Sequence, residues 1–104
     1  MTSSELRSEL NSFNSKIDGV IGEYNSALSS VSTVDNKINS IKGEDTNIYS
    51  SLIDNNSNVS SGISKNISTL TGLKSKVNAE TEKEIERLYA LEQAAKEQEE
   101  ENEE

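Results

Sequence analysis

From Leu6 to Ile41 the apolar residues recur at alternating steps of four and three: Leu6, Leu10, Phe13, Ile17, Val20, Tyr24, Ala27, Val31, Val34, Ile38 and Ile41. This is the heptad signature of a helix that buries one stripe against another helix. A strand cannot satisfy it, because its side chains alternate with a period of two. The chain contains no proline, so no ring interrupts a long helix. Upstream, Thr2-Ser3-Ser4-Glu5 has the form of a capping box, with Thr2 as N-cap and Glu5 reaching back to it. The spacing predicts one helix over about residues 3–41, roughly 60 Å long at 1.5 Å per residue.

Gly43 follows the last stripe residue, with basic Lys42 just before it, which is a usual helix C-terminus. Glu44 and Asp45 then bring negative charge to a new helix start. A turn over 42–45 is short, so the second helix is expected to fold back antiparallel. Its stripe is weaker: Ile48, Leu52, Val59, Ile63, Leu70, Leu73 and Val77, with Asn55 and Asn66 at seam positions. Asn55-Asn56-Ser57-Asn58 and Gly62 are poor helix formers, so a kink is expected there. Beyond Val77 the stripe resumes at Ile85, Leu88 and Ala95, and the eleven-residue step from Val77 to Leu88 is a stutter that locally unwinds a left-handed coil. The expected fold is all-α: a long antiparallel two-helix hairpin over 1–92, with helix 2 over about 46–92, and an acidic, fraying tail over 93–104.

Composition narrows the function. Only 31% of the 104 residues are apolar, and Ser, Asn and Thr make up over a third of the chain. That leaves little core with which to wall a pocket off from water. The chain has no Cys and no His, which removes thiolate chemistry, the commonest metal ligand and the usual general base. Glu80, Glu82, Glu84 and Glu86 alternate, so on a helix they point to different sides and form no paired site. No calcium-loop or phosphate-loop spacing occurs. We therefore expect no enzyme, no catalytic residue, no metal and no cofactor. The net charge of −9 sits almost wholly in residues 80–104, and no basic patch invites nucleic acid or an anionic membrane. No apolar run reaches the length of a membrane span, so no direct membrane insertion is expected. The N-terminal residues lack a basic and an apolar signal region. The expectation is a chain that stays in the cytosol or is exported by a route that reads no cleavable signal peptide.

Some apolar residues fall off these stripes. Ile21 and Leu28 lie seven apart beside the first, and Tyr49, Ile53 and Ile67 lie beside the second. They suggest a thinner apolar strip that a third helix could cover, and they are the expected partner-binding residues. A hairpin with one stripe per helix buries little and rarely stands alone.

The length, the two long helices, the Gly-bearing turn and the polar tail together resemble the small helical proteins of type VII secretion: the WXG-motif proteins and the helical partners of LXG-domain toxins. At the turn, where that family carries Trp-x-Gly, this chain has Ile41-Lys42-Gly43; the Gly and its place agree and the Trp is absent. The family's export tail often reads Tyr-x-x-x-Asp/Glu; here Tyr89 is followed by Glu92 at the third position and Gln93 at the fourth. The resemblance covers about residues 3–92. It implies a non-enzymatic targeting factor that binds the helical N-terminal domain of an LXG-type effector, or a sister small helical protein, as a heterodimer or heterotrimer. The alternative is a structural coiled-coil subunit of a larger assembly with no export role.

Overall fold

In a computed structural model, which describes residues 1–41 and 47–103, the chain is a two-helix hairpin: α1 over Ser3–Ile41 and α2 over Asn47–Glu103. The described residues form no strand. The expected turn residues Lys42, Gly43, Glu44 and Asp45, and the side chain of Ile48, lie outside the described residues.

The capping box forms as the sequence spells it. The Glu5 backbone N–H donates to Thr2 Oγ1 at 3.1 Å, and the Thr2 N–H donates to Glu5 Oε1 at 3.2 Å. Two N–H groups that the first turn cannot satisfy internally are thereby paired.

The weak stretch expected at Asn55–Gly62 does not interrupt the helix. α2 runs unbroken through Asn55–Gly62. One reason is local: Asn56 points inward and donates from Nδ2 to Asp35 Oδ1 at 2.9 Å, so a poor helix former is held in a helical position by α1. α2 also runs past Glu92 to Glu103, which corrects the expected end of the helix near 92. Its strong helix formers carry it on, although residues 93–102 are all exposed and bury nothing.

The chain divides into two units: unit 1 contains Met1–Ile17 with Leu73–Glu104, and unit 2 is Asp18–Gly72. Unit 1 holds every fully buried apolar side chain among the described residues: Leu10 at 3%, Ile17 at 6% and Ile85 at 7% exposure. Leu6, Phe13, Val77 and Leu88 are half-buried in the same unit. Polar pairs fasten it. Asn14 and Asn78 exchange amide hydrogen bonds at 2.9 and 2.7 Å. Arg7 grips Glu82 with both guanidinium Nη atoms, one of them at 2.7 Å. The Glu92 carboxylate accepts the Ser3 N–H at 2.9 Å and the Ser3 hydroxyl at 2.7 Å, so α2 contributes a second cap to the start of α1.

Three of these carboxylates titrate below the ordinary glutamate value. Glu92 is lowered by the Ser3 backbone N–H, then by the Ser3 hydroxyl; Glu5 by the Thr2 N–H, then the Thr2 hydroxyl; Glu82 by its hydrogen bond from Arg7. A carboxylate lowered in the folded state contributes stability above its unfolded pKa and loses it as the pH falls through the folded value. Glu92→Gln should therefore lower the melting temperature at neutral pH, and the gap to the parent should close as the pH falls from about 5 to about 3. Circular dichroism melts across that range test this; a gap of constant size contradicts it. Gly62 has nothing within 4 Å of where a Cβ would stand. Gly62→Ala should accordingly stabilise the helix by about 0.5–1 kcal/mol in the same assay.

Candidate interaction surface

Unit 2 buries one row of the strip that the apolar spacing marked and exchanges the other. On α1 its half-buried residues include Ile21, Tyr24, Leu28, Val31, Asp35 and Ile38; on α2 they include Tyr49, Ile53, Asn56, Ile63, Ile67 and Leu70. The five expected partner-binding residues, Ile21, Leu28, Tyr49, Ile53 and Ile67, therefore lie in the hairpin's own seam. The expected seam residues Val20, Val34, Ile41, Leu52 and Val59 are between 42% and 68% exposed. Asn55 and Asn66, expected in the seam, are also exposed. One row of the expected seam, Tyr24, Val31 and Ile38 of α1 with Ile63 and Leu70 of α2, stays half-buried; only the other row gives way to the flank.

The physical reason is size and polarity. The exchanged rows are one residue, or about 100°, apart on each helix. Turning α1 so that Ile21 and Leu28 face inward buries larger side chains than Val20 and Ala27 would offer. Turning α2 the same way replaces Asn66 with Ile67. The turn brings in Asp35 and Asn56, and these satisfy one another through their hydrogen bond. In α1 the buried residues step by four from Ile17 to Ile21, where the heptad has three, so Ile17 to Leu28 spans eleven residues. α2 shows the corresponding eleven-residue step at the foreseen place, with Val77 and Leu88 both half-buried.

The displaced residues share one side of unit 2. In an antiparallel pair, the residue preceding each seam residue is rotated toward the same face on both helices, because reversing the axis and facing the partner cancel. Val20, Ala27 and Val34 of α1 therefore share a face with Leu52, Val59 and Asn66 of α2. The groove geometry agrees. One shallow groove of about 250 Å³ is lined by Val20 and Tyr24 from α1 and by Asn66, Thr69 and Leu70 from α2. An adjoining groove of about 280 Å³ is lined by Val20, Glu23, Tyr24 and Ala27. Their walls are apolar or uncharged apart from Glu23. No described group of acidic residues could hold a metal ion, and no described helix is long and apolar enough to cross a membrane.

Ile41, expected at the turn, is the last residue of α1 and is exposed. The two residues of the expected export tail part company: Tyr89 is 57% exposed, whereas Glu92 is half-buried and engaged with Ser3. No family model, no curated protein and no solved structure matches the chain.

The inward set could have been found by asking which choice removes Asn66 from the seam and pairs the polar residues that replace it. Counting apolar letters could not find it, because both strips are apolar. The assignment is tested by two aspartates. Leu28→Asp should destabilise the hairpin by about 2 kcal/mol or more, since none of the described half-buried residues of unit 2 is a cation. Val34→Asp should change the stability of the monomer, measured at high dilution, by no more than about 0.5 kcal/mol. Urea unfolding followed by circular dichroism distinguishes them; equal losses would contradict the exchange of strips.

Proposed function

We propose that this protein is a non-enzymatic helical partner protein of the type VII secretion kind. In this reading it binds a helix from the N-terminal helical domain of an LXG-type effector along the exposed face of unit 2. The observation that carries the reading is the contrast within the chain. Unit 2 has no fully buried side chain among its described residues, yet it exposes Val20, Val34, Ile41, Leu52 and Val59. A third helix laid in the groove would give this half the core it lacks. Each valine or leucine so covered can contribute up to about 1.5–3 kcal/mol, less the part already shielded by its own helix. A helix in an apolar groove is a common recognition mode, and it needs no reactive group. The exposed acidic residues 93–102 stay outside such a core, free to serve solubility or recognition by an export machine.

The test is co-purification from the native host with identification of the captured protein. Wild type should retain a protein with a long helical N-terminal region, and Val20→Asp with Leu52→Asp should lose it while keeping full helicity. A chain lacking residues 93–104 should still capture the partner but deliver less of it outside the cell. Equal capture by the aspartate variant, or capture of a virion or filament component in place of an effector, would overturn the reading.

A further inference from the structure

We propose that in the free protein the exposed face of unit 2 is closed by a second copy of this chain, with α1 packed antiparallel on α1 of the copy about a two-fold axis near Ser30. The inference shares its surface with the reading above but does not depend on a secretion role.

The side of α1 next to the seam carries its own four–three stripe: Val20, Glu23, Ala27, Ser30, Val34, Lys37 and Ile41. All are exposed except Ala27, which is half-buried. The stripe reads nearly alike from either end. About Ser30, Glu23 mirrors Lys37, Ala27 mirrors Val34 to within a residue, and Val20 mirrors Ile41 likewise. An antiparallel two-fold sets each residue within a turn of its mirror in the copy. Apolar then meets apolar, and Glu23 meets Lys37 twice, once on each side of the axis. Self-complementarity of this kind requires opposite charges at mirrored positions; like charges there would repel. The centre is narrow. Ser30 is small, and at Gly62 of α2 nothing lies within 4 Å of where a Cβ would stand.

The other way to close the face sets α1 over α2 of the copy. The matching stripe of α2 is Leu52, Asn55, Val59, Gly62, Asn66 and Thr69, which carries no charge. Glu23 and Lys37 would both be covered without a counter-ion, at a desolvation cost. Charge therefore selects the α1-on-α1 arrangement.

Sedimentation equilibrium of the full chain should show a dimer. Glu23→Lys should weaken it about tenfold, because two ion pairs become two repulsions, and Glu23→Lys combined with Lys37→Glu should restore it. Ser30→Cys should form a disulfide-linked dimer under mild oxidation, whereas Lys65→Cys, on the side of α2 away from the seam, should not. A monomer at all concentrations up to about 1 mM would overturn the proposal. So would a double swap that fails to restore the dimer, or cross-linking through Lys65→Cys as fast as through Ser30→Cys. If the dimer fails while the Val20 and Leu52 variants still lose the captured partner, only this inference falls; if the dimer stands and no effector is captured, only the secretion reading falls.

Discussion

Two helices share a single seam, and this chain carries apolar residues enough for two. Which strip turns inward is therefore the choice on which unit 2 depends. The inward strip of α1 brings Ile21 and Leu28, and that of α2 brings Ile53 and Ile67, in exchange for the polar pair Asp35 and Asn56. The hydrogen bond between that pair is what makes the exchange tolerable, because a carboxylate turned inward with no donor would be costly. The same bond fixes which level of α1 faces which level of α2. An otherwise smooth apolar seam could slip by a heptad; an Asp that must meet an Asn cannot.

The outline of the fold was legible because it rests on strong, local signals. The capping box at Thr2 and Glu5, the absence of proline and the apolar stripe place α1 within a residue of its observed limits. The weak helix formers at Asn55–Gly62 do not break α2, for a physical reason. Helix propensities there amount to about 1 kcal/mol for Gly and less for each Asn. Tertiary contacts made by Asn56, Ile53 and Ile63 on the same stretch outweigh them. The stutter in α2 could be read because the apolar spacing itself changes between Val77 and Leu88. The stutter in α1 was hidden, because Val20, Ala27 and Val34 continue the old heptad while Ile21 and Leu28 begin the new one. A sequence with two overlapping strips reports that both exist; only the opposing helix decides between them.

The two units also differ in how they are held. Unit 1 joins a buried core at Leu10, Ile17 and Ile85 to charged and amide fastenings between Arg7 and Glu82, Ser3 and Glu92, and Asn14 and Asn78. Most of these partners lie far apart in sequence, so sequence spacing could not announce them. Unit 2 is tied across its helices by the Asp35–Asn56 hydrogen bond and has no fully buried side chain among its described residues. Apolar exposure without a closed core is expected of a surface that meets another helix. It follows that a substitution in unit 1 should act mainly on the fold, and one on the outer strip of unit 2 mainly on association.

The character of the outer strip fits reversible use. Three of its five large apolar residues are valines, and Ser, Asn, Thr and Gly stand between them. Valine is stiff at χ1, so it loses little rotamer freedom when another helix covers it. The interspersed polar residues keep the apolar area narrow, which limits unspecific aggregation while the face is open. A strip of leucine and phenylalanine would bind more strongly, but it would also compete with Ile21, Leu28, Ile53 and Ile67 for the seam. On α1, Ile21 and Leu28 inside with Val20 and Ala27 displaced from the seam favour one register, and Leu52 and Val59 of α2 complete a face for a further helix. The size difference that decides the seam is thus the same feature that creates the docking surface.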